Sequence, residues 1–302
     1  MADFRCSVAS EGRGDDLGGT ASTVAAFLLM EHAGPWGVDA LRDSRMPAAL
    51  GPALRRHAES AGVRPLLVRR PGRSSETAGV RVFAVSTRVT RESGPWTETA
   101  SLPDLEAVLD LDLAALGAGR SLGLQRHTEP LVCVCTHGRH DTCCAERGRP
   151  LAAALAAVDP ERTWECSHIG GDRFAGNVLV LPEGLYYGRL DADSGPRMLA
   201  DHLAGRLDLA HLRGRSSLPM AVQAAEIALR RDLDEPRHHA VRFLRRDRAA
   251  DATTARFAVG TREYAVRVRS WIGPDTFTLT CRAERENPVP RHEVLAIEPA
   301  AG

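Results

Sequence analysis

Lysine is missing from all 302 residues, so the 39 positive side chains are arginines, balanced by 39 carboxylates. With Ala, Arg and Gly abundant, the missing lysine reads as a coding bias toward those residues rather than a functional signature. The charge balance leaves no global field drawing the chain to nucleic acid or an anionic membrane, and neither is expected as a partner. Long apolar runs are missing too. The run Val24 to Met30 is far short of a bilayer span, and the opening MADFRCSVASEGRGDD has no apolar signal core. A cytoplasmic protein with reduced thiols is the expectation. There is no C-x-x-C pair, which weighs against disulfide exchange, and the scattered acids form no paired-carboxylate site for glycoside hydrolysis.

What is present, 43% hydrophobic and 26% charged residues, suits globular α/β units with ordinary cores. After a polar, Gly-rich lead, ASTVAAFLLMEH carries a continuous apolar face and reads as a helix buried against a sheet. Trp36 then packs over the turn Gly34-Pro35-Trp36-Gly37. Residues 47–61 make an amphipathic helix, RPLLVRR and VRVFAVSTR two strands, and PDLEAVLDLDLAALGAG a further helix stopping at glycines. These belong to an N-terminal α/β domain over residues 1–128.

The next unit, residues 129–213, starts with a strand at Leu131–Cys135, a cysteine-rich loop and the helix former RPLAAALAAV. Strands follow at Thr163–Ser167, Asn177–Pro182 and Leu185–Leu190, with a closing helix at Pro196–Leu207. A cysteine loop directly after the first strand of this series predicts a small thioredoxin-like domain. Residues 214–302 read as an α+β extension: a helix over Leu218–Asp234, then strands at HHAVRFLRR, ARFAVG, EYAVRVRS and TFTLTCRA forming an antiparallel sheet. Arg267 and Arg269 fall on its solvated face.

Five of the seven cysteines lie between Cys133 and Phe174, together with His137, His140, His168 and Asp172. Such crowding of soft and borderline ligands points to a metal or redox site rather than a secreted disulfide framework. Cys6 and Cys281, isolated in sequence, are expected to be inert.

The run Cys135-Thr-His-Gly-Arg-His-Asp-Thr-Cys143-Cys144, then Gly148-Arg149-Pro150, Trp164-Glu165 and Ser167-His168-Ile-Gly170-Gly171-Asp172-Arg173-Phe174-Ala175, resembles the sucrase/ferredoxin-like family of thioredoxin-like ferredoxins. Gly19-Thr20-Ala21, Glu31-His32 and Gly34-Pro35-Trp36-Gly37 resemble the same family's N-terminal part, so the likeness covers roughly residues 5–200. The resemblance implies a 2Fe-2S cluster, with one iron held by two cysteines that have eight residues between them and the other by two histidines in an H-x-G-G-H run. Cys135, Cys144 and His168 match, and Asp172 stands where the second histidine would be. Alternatives for the fourth ligand are Cys166, Cys143 and Cys133, and His137 and His140 complete the list of possible ligands, with places beside the ligands or at the surface expected for them. Gly170, Gly171 and Arg173 would approach the cluster, and Arg139, Arg147 and Arg149 would help offset its charge.

Two ferric ions, two sulfides, two thiolates, a neutral imidazole and a carboxylate sum to about −1, and to about −2 after one electron. The potential would then lie between the all-cysteine and two-histidine cases. The implied function is one-electron transfer between unidentified redox donor and acceptor proteins. A cluster-free thiol protein and a structural zinc site on Cys135, Cys144 and His168 are the alternatives.

Overall fold

The apolar run Ala26–Glu31 is a strand, β1, where a buried helix was expected. Short, uninterrupted apolar stretches suit either element. Here both faces are covered, so no polar period appears, and the sheet overrides the helix preference of Leu, Met and Ala. The computed structural model describes residues 4–72, 79–90 and 93–300. Before β1 lies the short helix α1 (Cys6–Gly12). After it come α2 (Leu50–Ser60), β2 (Arg64–Arg69), β3 (Val80–Ser86) and β4 (Trp96–Leu102). β1 runs parallel to β2 and antiparallel to β3, which pairs antiparallel with β4.

The expected helix in PDLEAVLDLDLAALGAG is broken into a 3-10 turn at Glu106–Asp110 and a short α3 (Leu113–Gly117). Asp112 causes the break, because its side chain caps the second piece by accepting the Ala115 N–H at 2.9 Å. A small strand, β5 (Gln125–His127), then pairs with β4.

The same connectivity recurs in the next segment, which holds β6 (Leu131–Cys135), α4 (Thr142–Val158), β7 (Thr163–Cys166), β8 (Val178–Leu181), β9 (Leu185–Tyr187) and α5 (Ser194–Leu203). β6 is parallel to β7 and antiparallel to β8, and β8 is antiparallel to β9. The spatial order β7-β6-β8-β9 matches β2-β1-β3-β4, so both halves share the arrangement expected of a thioredoxin-like unit. Antiparallel pairing of β2 with β7, Val68 opposite Cys166, joins strands from both sides of residue 128 into one ten-stranded sheet. β10 (Leu212–Arg215) completes it beside β9.

Strand alternation divides the core. Phe27, Leu29, Val68, Phe83, Cys133, Cys135, Trp164 and Cys166 share one sheet face across both halves. Leu28 and Met30 pack toward α2 and α3 on the other face, and Val132 and Val134 pack toward α4 and α5.

Beyond β10, α6 (Met220–Asp232) lays Val222, Ala225 and Leu229 on a separate antiparallel sheet of β11 (Val241–Arg248), β12 (Ala252–Val259), β13 (Arg262–Phe277) and β14 (Asn287–Pro299). The last strand was expected at TFTLTCRA. Instead β13 ends at Phe277, and Cys281 lies in the connection that follows. Pro288, Pro290 and Pro299 argue against a strand in sequence, but β14 is an edge strand, where a missing N–H costs no ladder bond. Among the described residues no helix is long and apolar enough to cross a membrane.

Because β1 is covered on both faces, Leu28→Ala should lower the unfolding free energy by roughly 2–5 kcal/mol. The exposed control Val158→Ala should stay within about 0.5 kcal/mol, both read from urea denaturation midpoints at unchanged slope.

Candidate metal centre

The end of β6 and the start of α4 place the thiols. Cys135 is the last residue of β6, and Cys143 and Cys144 lie in the first turn of α4 rather than in a loop. Asp141 is the N-cap, accepting the Cys143 N–H at 2.9 Å, and the positive end of the helix dipole favours thiolates beside this turn. Gly148 lets the helix close on the strand end, since a Cβ there would stand 2.1 Å from the Cys135 carbonyl oxygen.

His168 follows β7, and the chain then turns back through Gly170 and Gly171 at φ +96° and +81°, conformations open to glycine. That turn delivers Asp172, 3% exposed, into the same place. Cys135, Cys144 and His168 bring their ligand atoms within 4.8 Å of one another, as do His140, His168 and Asp172. Asp172 touches both sets: its Oδ1 is 3.2 Å from Cys144 Sγ and 2.8 Å from His168 Nδ1. His168 Nδ1 is buried, with the Asp172 carboxylate at 2.8 Å as its near partner. A buried ring nitrogen beside two thiols and a carboxylate is a donor set that suits a metal.

The electrostatics agree. A hydrogen bond from the Cys144 thiol, together with His168, outweighs burial and holds Cys135 well below the usual thiol range. The same hydrogen bond and burial push Cys144 up. Burial opposes the charge on His168, but the Asp172 carboxylate and Cys135 raise it to about 9. Burial likewise opposes ionisation of Asp172, and His168 and His140 beside it hold its carboxyl below the ordinary range.

The remaining residues take other places. Cys133 and Cys166 stay in the inner core, where burial pushes Cys133 up to about 12 and Cys166 well above its ordinary value. Both nitrogens of His137 are engaged: Nδ1 accepts the His168 N–H at 3.2 Å and Nε2 donates to the Gly37 carbonyl at 2.7 Å. His140 stacks on His168 at 3.8 Å, with Nδ1 3.3 Å from the Val38 carbonyl and Nε2 3.7 Å from Asp172. Trp36 meets the edge of His137 and the Arg69 guanidinium, while its Nε1 donates to the His32 carbonyl within its own turn. Arg147 and Arg173 turn to Glu11 and Asp15 of the N-terminal segment.

Sequence reading missed Arg213, which carries no signal beyond being an arginine in LRGRSS. Fully buried, it donates to the carbonyls of Gly170 at 2.9 Å and Thr20 at 2.6 Å and to Asn177 Oδ1 at 2.7 Å. Gly171 is glycine partly for this reason, since a Cβ would lie 2.3 Å from Arg213 Nη2. Burial lowers Arg213 to about 10, which leaves it a cation at neutral pH. It thus ties Gly19-Thr20 to the turn that positions His168 and Asp172. Arg213→Met should lower the unfolding free energy by roughly 2–4 kcal/mol by stranding those acceptors, measured as a urea midpoint shift without a change in slope.

His137, His140 and His168 open on a surface cleft of about 240 Å³, while the thiols lie behind them. The site is therefore a buried Cys/Asp/His cluster with imidazole edges toward solvent. No curated protein and no solved structure is significantly similar to the chain. The model of one family, sucrase/ferredoxin-like, matches residues 17–214, a span that takes in every member of this cluster and Arg213. The chain belongs to the sucrase/ferredoxin-like family.

Proposed function

We propose that this protein is a one-electron carrier whose 2Fe-2S cluster is held by Cys135, Cys144, His168 and Asp172. The observation that carries the reading is the convergence of Cys135, Cys144 and His168 within 4.8 Å, with Asp172 in contact with two of them. Those residues fit the group: two thiolates for one iron, a buried imidazole nitrogen and a carboxylate for the other. Bound there, the cluster supplies a one-electron couple whose potential depends on its ligand charge and surroundings.

The chain's own residues do the rest. β6 and α4 bury the sulfurs and exclude water from them. His137 holds the His168 backbone, and Arg213 holds the Gly170-Gly171 turn, so both ligand-bearing segments are positioned before anything binds. Arg213, a buried cation, favours the added negative charge of the reduced state. The rings of His140 and His168 line the cleft and offer a route from the buried sulfurs to a redox protein docked there. His140 stays outside the ligand set, with Nδ1 on the Val38 carbonyl.

The test is iron and acid-labile sulfide content, with visible spectra before and after dithionite, on protein purified without oxygen. Wild type should be red-brown, hold about two irons and two sulfides per chain, and bleach on reduction. Cys135→Ser and Cys144→Ser should lose both, Asp172→Ala should lose or shift the spectrum, and His140→Ala should keep its iron. Colourless protein that resists reconstitution, or equal iron in the two cysteine variants and wild type, would sink the assignment.

A further inference from the structure

Cys6 and Cys281, isolated in sequence, meet in space. Cys6 opens α1, Cys281 lies in the connection between β13 and β14, and both reach Cys143 and the N-cap Asp141 of α4. The ligand atoms of all four lie within 4.8 Å of one another, in a pocket where only Cys281 is more than marginally exposed. This group shares no residue with the cluster at Cys135, Cys144 and His168. We propose that Cys6, Cys143, Cys281 and Asp141 form a second, mononuclear site that binds a structural zinc ion.

The spacings are those of ligands around one small ion. Cys143 Sγ is 3.3 Å from Cys281 Sγ, which is 3.6 Å from Cys6 Sγ. Both carboxylate oxygens of Asp141 stand 3.7 Å from Cys6 Sγ. A tetrahedron with zinc–sulfur bonds of about 2.3 Å has sulfur–sulfur edges of about 3.8 Å, and sulfur–oxygen edges of about 3.5 Å. A disulfide would need about 2.05 Å, and its formation would leave the third thiol unmatched.

Three thiolates and a carboxylate select a soft-to-borderline ion with tetrahedral preference, and four protein ligands with no open position are the mark of a structural rather than catalytic zinc. The ligated site carries a charge of about −2, and three features of the fold answer it. The Cys6 N–H points at Cys281 Sγ, 3.5 Å away; Asp141 accepts the Cys281 N–H at 2.6 Å; and the N-terminal turn of α4 faces the site. Asp141 keeps lone pairs for the ion beyond those used by the two amides.

The site explains how segments outside the family match are attached. Cys6 and Cys281 both lie outside residues 17–214, whereas Cys143 and Asp141 lie inside. A zinc ion would staple the N-terminal helix and the C-terminal sheet to the first turn of the helix that carries Cys144. Polar contacts follow the same seam: Arg5 pairs with Glu146 at 2.7 Å, and Arg282 donates to the Arg139 carbonyl at 3.0 Å.

The experiment is metal analysis of the full chain, grown with iron and zinc and purified without oxygen, alongside three variants. Wild type should hold about one zinc per chain. Cys6→Ser and Cys281→Ser should each lose it while keeping their iron and sulfide, and Cys135→Ser should do the reverse. Because Cys6→Ser can fail through misfolding, wild-type apoprotein is also loaded with cobalt(II) alone. Strong visible bands and near-ultraviolet thiolate-to-cobalt absorption that persist in Cys135→Ser, and that are lost when Cys281→Ser is added to it, are expected. Zinc-free protein without cobalt–thiolate bands would overturn the proposal, as would a Cys143–Cys281 disulfide in the native chain or zinc that leaves with Cys135→Ser. Loss of iron from wild type with zinc retained would defeat only the cluster reading.

Discussion

The N-cap at Asp141 is the constraint on which both cysteine groups depend. By accepting the Cys143 N–H it fixes where α4 begins, and its other oxygen fixes the Cys281 backbone against that turn. Successive residues of a helix point about 100° apart, so a helix started here must aim Cys143 and Cys144 in different directions. One thiol turns toward Cys135 and Asp172, the other toward Cys6 and Cys281. A start one residue later would undo both placements at once.

Around that turn, the two similar halves do different work. The second half supplies the cysteines, His168 and Asp172 from its own strand ends and connections. The first half supplies a wall: the carbonyls of Gly37 and Val38 meet His137 and His140, and Trp36 packs against His137. The link between halves is the antiparallel pairing of β2 with β7, reinforced where Arg69 pairs with Glu165 at 2.6 Å and Glu165 accepts from Thr136 at 3.1 Å. This chain of contacts runs from one half's strand into the loop that follows Cys135, so the site is set by the joined sheet rather than by its own half alone.

Most strands of the second half could be read from the sequence because each is short, apolar and bounded by turn residues. β1 could not, because a run buried on both faces loses the period that separates strand from helix. β14 was hidden by its prolines, which only an edge position makes tolerable. At the site, the resemblance to the sucrase/ferredoxin-like family pointed to Cys135, Cys144, His168 and Asp172, all within one compact stretch whose strand–helix–strand order brings their ends together. Arg213 and the roles of Cys6 and Cys281 had no such local signal, since their partners lie more than a hundred residues away or across another element.

The sequence by itself determined the element types wherever periodicity and turn chemistry are local, the balanced charge, the absence of a long apolar span, and the crowding of metal-loving side chains in one segment. Only the tertiary structure decided which thiols meet, because proximity between distant segments is set by sheet pairing and helix packing rather than by neighbouring residues. It moved Cys133 and Cys166 into the core, set Asp172 against His168 and Cys144, and gathered Cys6, Cys143 and Cys281 around one aspartate. Ligand geometry is a property of the folded chain: a family motif nominates two cysteines with eight residues between them, but a strand end and a helix start must face each other before their sulfurs can share an ion.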